Sequence, residues 1–187
     1  MRRRTKALLV LVLIAAGLVV VILLTSRLYR IPSSAMEPTL NCAKPAAGCE
    51  AKDGDRVLAS RVIYRLRDPH RGDIVAFHIP TAGTFACNSF FGEVFIKRLL
   101  VLPGERWREK SGFIYVNGKK LIEPYVTPDS RDQETIPEKK VPKGQYVVLG
   151  DNRSSSCDSR QWGTVPRKNL IGPLIATYWP LSRISIR

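Results

Sequence analysis

The chain has 187 residues, enough for one domain with a hydrophobic core and a membrane anchor besides. Thirty Lys and Arg against 16 Asp and Glu give a formal charge of +14. The basic residues are scattered and no nucleic-acid motif accompanies them, so nucleic acid is set aside in favour of attraction to anionic lipid headgroups.

In chain order, Arg2, Arg3, Arg4 and Lys6 come first, followed by a run from Ala7 to Leu24 with no polar or charged side chain. At about 1.5 Å per helical residue the run spans roughly 27 Å, close to the hydrocarbon thickness of a bilayer. Only a helix satisfies its own backbone there. The basic flank before the run outweighs Arg27 and Arg30 after it. This predicts a cytoplasmic N-terminus over residues 1–6, a single-pass membrane anchor over 7–25 and an extracytoplasmic body over 26–187. A cleaved secretory signal is the rival. The length of the run, and the lack of a small-residue cleavage site in Arg27-Leu28-Tyr29-Arg30, count against it.

Beyond Asp55 the pattern is strand-like. Strands are predicted over Arg56–Tyr64, Asp73–Ile79, Val94–Leu102, Phe113–Val116, Gln145–Leu149 and Leu170–Trp179, with Asn117-Gly118 as a type I′ hairpin turn. No 3.6-residue period persists after residue 30, so the class is mainly β, an antiparallel barrel or paired sheets. Residues 43–52 and 81–91 read as loops, and 123–143 as a polar surface excursion. The four cysteines, Cys42, Cys49, Cys87 and Cys157, allow three pairings in an oxidising compartment. Cys42 with Cys49 is favoured, because Pro45 and Gly48 can turn the segment between them; closing that loop is worth roughly 2.5 kcal/mol. Zinc is disfavoured by the spacing and by the presence of only two histidines.

Hydrolysis without metal needs a hydroxyl nucleophile, a base and donors for the oxyanion. His70 lies in a turn-like string and His78 near a strand end, so neither suits a triad. Lysine is the remaining base. At its ordinary pKa of about 10.4, only about one amine in 2,500 is neutral at pH 7, and burial corrects this by disfavouring the charge. Lys97 has the setting: Phe95, Lys97 and Leu99 share one face of a strand. Read alone, it is more readily a strand-edge lysine that blocks aggregation.

Four blocks change that balance. They are Ile31-Pro32-Ser33-Ser34-Ala35-Met36-Glu37-Pro38-Thr39-Leu40; Arg71-Gly72-Asp73-Ile74-Val75; Phe95-Ile96-Lys97-Arg98 with Leu102-Pro103-Gly104-Glu105; and Gly150–Arg160 continued by Trp162-Gly163 and Val165-Pro166. In this order, behind an apolar anchor, they resemble the type I signal peptidase (leader peptidase) family of membrane-anchored serine–lysine proteases. The resemblance implies an antiparallel β body with one N-terminal transmembrane helix, in the cell membrane. It implies endopeptidase cleavage of exported preproteins after small-residue, Ala-x-Ala-like sites. Lys97 would be the base and Ser156 would orient it. Ser33 and the Ala35 N–H would be the oxyanion donors, with Asp158 and Arg160 an ion pair near the site. Exported preproteins and membrane lipid are the implied partners of a monomer, with no metal, nucleotide or other cofactor.

One position departs from the family. Ala35 stands where the nucleophilic serine is expected, and a methyl group attacks nothing. If the segment is extended, Ser34 points to the opposite face, and Ser33 points the right way but lies about 6.6 Å along the strand. A local turn or bulge would bring Ser34 in. Two readings follow: Ser34 is the nucleophile of a shifted backbone, or the chain is a signal-peptide-binding homologue that does not cut. A basic structural protein of the envelope and a self-cleaving repressor-type protease are weaker rivals; the anchor and the absence of a DNA-binding segment oppose the latter.

Overall fold

The computed structural model describes residues 2–90 and 92–187, apart from the side chains at 2–7, 15, 18, 19 and 23. Helix α1 (Arg2–Thr25) carries the apolar run, and its large side chains at Leu8–Ile14, Val20–Ile22 and Leu24 stand exposed. The expected basic flank of Arg2, Arg3, Arg4 and Lys6 lies outside the described side chains. With the undescribed positions set aside, no stretch of helix is long and apolar enough to cross a membrane.

Twelve strands follow among the described residues: β1 (Ser26–Arg30), β2 (Arg56–Ser60), β3 (Ile74–His78), β4 (Val94–Val101), β5 (Arg106–Lys110), β6 (Phe113–Val116), β7 (Lys119–Lys120), β8 (Ile136–Lys140), β9 (Gln145–Leu149), β10 (Val165–Pro166), β11 (Leu170–Trp179) and β12 (Ser185–Ile186). The larger sheet runs β1-β2-β11-β3-β4-β9-β10, with β12 on β11, and the smaller runs β7-β6-β5-β8. Every pairing is antiparallel, which gives the mainly β class. The Asn117-Gly118 turn has φ of 48° and 80°, as a type I′ hairpin requires.

One apolar cluster (Ile31, Met36, Leu40, Val57, Ile74) lies beneath the first strands, and a second (Val75, Phe77, Leu99, Val148, Trp162) lies against β3, β4 and β9. A third (Leu100, Trp107, Ile114, Val147) joins the smaller sheet to the larger. The cores flank β4 on both faces, so Lys97 on that strand is buried and Arg98 partly so. Cys42 pairs with Cys49 at a Cα separation of 5.3 Å, as the turn residues predict, and Cys87 pairs with Cys157 at 5.9 Å.

Three short helices interrupt the expected pattern: α2 (Ile63–Leu66), α3 (Thr81–Ala86) and α4 (Ser159–Trp162). The strand predicted over 56–64 ends at Ser60, whose Oγ accepts the N–H groups of Val62 (3.3 Å) and Ile63 (3.2 Å) and turns the chain into α2. Residues 123–143 are more than an excursion: they supply β8 and bury Glu123, Val126, Ser130 and Val141. Part of their polarity is internal: the Glu123 carboxylate faces the guanidinium of Arg153, while Glu138, Lys139 and Lys140 of β8 stay exposed.

Candidate active site

Lys97 lies mid-way along β4, paired with Val75 of β3, with β9 on the other side. It is 4% exposed, and its amine has no hydrogen-bond or ion-pair partner among the described residues. The nitrogen is 5.8 Å from the centroid of the Phe95 ring on the same strand face. Burial drives its pKa from 10.5 down to about 8; Asp158 and Asp151 oppose the shift, and Arg160 adds to it. At that value about one amine in ten is neutral at pH 7.

The segment that faces it is not extended throughout. Ser33 is (φ −143°, ψ 159°), but Ser34–Met36 forms one 3-10 turn, with the Glu37 N–H donating to the Ser34 carbonyl at 3.0 Å. Successive side chains on such a turn diverge by about 120°. Ser34 is 6% exposed, and its Oγ is 2.8 Å from the point where a Cβ on Gly48 would stand, so it faces the Cys42–Cys49 loop. Pro32, Ser33, Ala35 and Met36 instead line a cleft of about 410 Å³ shared with Phe95 and Lys97. Ser33, Ala35 and Lys97 therefore line one cleft, and Ser34 does not. The Ala35 N–H lies in the first turn, where no intrahelical carbonyl can accept it.

The last block, Gly150–Arg160, closes on these two. The Ala35 carbonyl accepts the Asn152 N–H at 3.1 Å. A Cβ on Gly150 would lie 2.2 Å from Ser156 Oγ and 2.5 Å from the Ala35 carbonyl oxygen, so only glycine permits this approach. Ser156 Oγ is buried and has no hydrogen-bond partner among the described residues. Asp158 is fully buried, caps α4 and accepts the Gly150 N–H at 3.0 Å. Arg160 pairs with Asp158 at 2.9 Å and also with Asp132, and its guanidinium donates to the carbonyls of Ser156 (3.2 Å) and Arg153 (2.8 Å). Asp151, fully buried, accepts from Arg98 at 2.6 Å and from Thr39 at 2.5 Å, so it ties all three regions together.

Gly150, Asn152 and the Arg98–Asp151–Thr39 link were not singled out from the sequence. The glycine at the end of β9 was a visible signal, while the ion pair spans 53 residues and needs the strand register to be seen. Among the described residues no group of acids, cysteines and histidines could hold a metal ion.

A family profile described as "Signal peptidase, peptidase S26" matches residues 1–179. A probable signal peptidase I-2 from Synechocystis is 44% identical over 157 residues, covering 83% of this chain and 64% of that one. Thylakoidal processing peptidase 1 of Arabidopsis thaliana is 37% identical, covering 83% and 42%. A signal peptidase I of known crystal structure from Enterococcus faecalis is 31% identical and covers 58% of this chain and 97% of its own, with a TM-score of 0.47. The chain belongs to the signal peptidase family. It spans under two thirds of the length of the Synechocystis relative and less than half of the Arabidopsis one.

Proposed function

We propose that this chain is a membrane-anchored signal peptidase of the serine–lysine type, whose cleft receives the signal peptides of exported preproteins and whose position 35 lacks the attacking hydroxyl. The carrying observation is that Ala35 and Lys97 line one cleft while the Ser34 hydroxyl is turned to Gly48. The exposed apolar side chains described on α1 support a single membrane crossing, with the body outside. The anchor would hold the cleft beside the bilayer in which a signal helix also lies, raising its effective concentration. Cleft walls of Ile31, Met36, Phe95 and Ile96 suit small apolar substrate side chains.

With a serine at position 35, each step has a residue. The neutral Lys97 amine takes the hydroxyl proton, and the oxygen attacks the peptide carbonyl. The N–H of residue 35 and the Ser33 hydroxyl receive the oxyanion. The lysine then gives its proton to the departing amine, and a water activated by the same lysine releases the acyl group. Ser156, whose buried Oγ is without a partner among the described residues and whose carbonyl accepts from Arg160, is the hydroxyl available to orient the lysine. Without the hydroxyl, binding remains and turnover does not.

The test is cleavage of a preprotein with an Ala-x-Ala site by the purified full chain. The wild type is expected to bind without cutting, and Ala35→Ser to raise cleavage by about a thousandfold or more. Adding Ser34→Ala should leave that gain intact. Wild-type cleavage abolished by Ser34→Ala would overturn this reading. A second reading has its own observation: Ser33 is the neighbouring serine that does line the cleft. Wild-type cleavage lost on Ser33→Ala would favour it.

A further inference from the structure

A second cavity, of about 460 Å³, lies beside the substrate cleft and shares Tyr29 and Val94 with it. Its walls carry Arg27, Arg61, Arg65 and Arg167, together with His78, and no acidic side chain. Arg27, Arg61 and Arg65 have no carboxylate partner among the described residues. Arg167 donates to the Tyr64 carbonyl and lies 5.2 Å from that ring's centroid. Asp73, which accepts from the Tyr64 hydroxyl, is already neutralised by Arg67 at 2.9 Å. Four arginines therefore line one hollow that holds no carboxylate to offset them, a setting that fits a phosphate whose oxygens accept paired hydrogen bonds from guanidinium groups.

Its place in the fold indicates where such a phosphate comes from. The Arg61 N–H donates at 2.8 Å to the carbonyl of Thr25, the last residue of α1, and Arg27 follows that helix by two residues. A helix of 24 residues is about 36 Å long, so its end reaches the headgroup layer. We propose that this cavity is a binding site for the phosphate of an anionic phospholipid headgroup, seated where α1 leaves the bilayer and next to the substrate cleft. The proposal rests on the membrane-crossing reading of α1. Tyr29, common to both hollows, would place the bound headgroup against the wall along which a signal peptide enters.

The test uses the full chain reconstituted in phosphatidylcholine vesicles containing phosphatidylglycerol, then extracted in mild detergent and weighed intact by native mass spectrometry. The wild type is expected to retain phosphatidylglycerol about tenfold over phosphatidylcholine. Arg61→Gln with Arg65→Gln should lose at least about fivefold of that preference, while Arg106→Gln on the smaller sheet keeps it. Equal retention of the two lipids, or a preference indifferent to Arg61 and Arg65, overturns the site. Displacement of the lipid by millimolar inorganic phosphate supports the phosphate chemistry, because free phosphate and the headgroup then compete for the same arginines; phosphate bound by the arginines with no lipid retained overturns the lipid as occupant. Extraction of the chain from the same vesicles by alkaline carbonate reports separately on α1: release would end the membrane reading, whatever the lipid preference.

Discussion

The amine of Lys97 is a cost to the folded state that its proposed role explains. Its folded pKa, about 8, lies below the unfolded 10.5. Below pH 8 both states carry the proton, and the folded state bears the whole penalty of burying it, about 3 kcal/mol. Between pH 8 and 10.5 the folded form releases the proton first, so stability rises with pH; above 10.5 the penalty is gone. Lys97→Met should therefore raise the urea midpoint at pH 7, with the gain shrinking towards pH 10. Tryptophan fluorescence reads this, since Trp107, Trp162 and Trp179 all lie in the β body. A variant less stable than the parent at pH 7 would show that the amine is not desolvated. In the Ala35→Ser background the same titration gives a cleavage rate that climbs as pH rises through 8, and Lys97→Met removes it. The lysine's environment could be read in advance because strand alternation puts Phe95, Lys97 and Leu99 on one face. The direction of Ser34 could not, because it depends on a single 3-10 turn and on Gly48, which the disulfide loop brings alongside.

At the scale of elements, the site is a strand, a turn and a loop held at contact distance. Gly150 shows how close that contact is. A methyl group there would press on both Ser156 Oγ and the Ala35 carbonyl. Gly150→Ala should leave the sheets formed but separate the loop from the turn, cutting cleavage by Ala35→Ser at least about tenfold while circular dichroism stays unchanged. Unaltered cleavage would mean that this contact does not set the geometry. Strand β5 offers a second case. Its alternation turns Trp107 and Glu109 inward, and both carboxylate oxygens of Glu109 are buried with no hydrogen-bond partner among the described residues. Burial, and then Asp132, raises its pKa from 4.5 to about 7. The folded state thus holds this proton more tightly than the unfolded one, and stability is lost as pH rises from 4.5 through 7. Glu109→Gln should stabilise more at pH 8 than at pH 5, measured by urea denaturation; an equal effect at both would count against the buried charge. Six of the twelve strands, β2, β3, β4, β6, β9 and β11, were legible from β-branched runs and turn residues. The short helices were not, because each starts from a local event (the Ser60 hydroxyl, Pro80 or the Asp158 cap) too brief to set up a period. The inward carboxylate of Glu123 read as surface polarity, since its pairing with Arg153 across 30 residues leaves no local pattern.

For the molecule as a whole, the sequence shows the order of the blocks, and folding shows how distant chain segments are kept together. Cys87 and Cys157 were visible as residues, but their bond joins segments 70 residues apart and needed the sheet order to be assigned. Closing a loop of that length removes more freedom from the unfolded chain than closing the seven-residue span of Cys42–Cys49: about 4 against roughly 2.5 kcal/mol. The longer bond also has a position that the shorter one lacks. Cys87, Asn88, Ser89 and Phe90 line the substrate cleft, and Cys157 follows Ser156 directly. Replacing Cys87 and Cys157 with alanine should lower the urea midpoint more than the same change at Cys42 and Cys49. In the Ala35→Ser background it should also reduce cleavage, because one cleft wall and the Ser156 loop lose their common fixing point. The two readouts separate the effects: stability falls through the unfolded chain, cleavage through the folded site. If the Cys87–Cys157 replacement costs no more stability than the other, the loop-length argument fails. If it costs stability yet leaves cleavage untouched at low temperature, the bond braces the body without shaping the cleft.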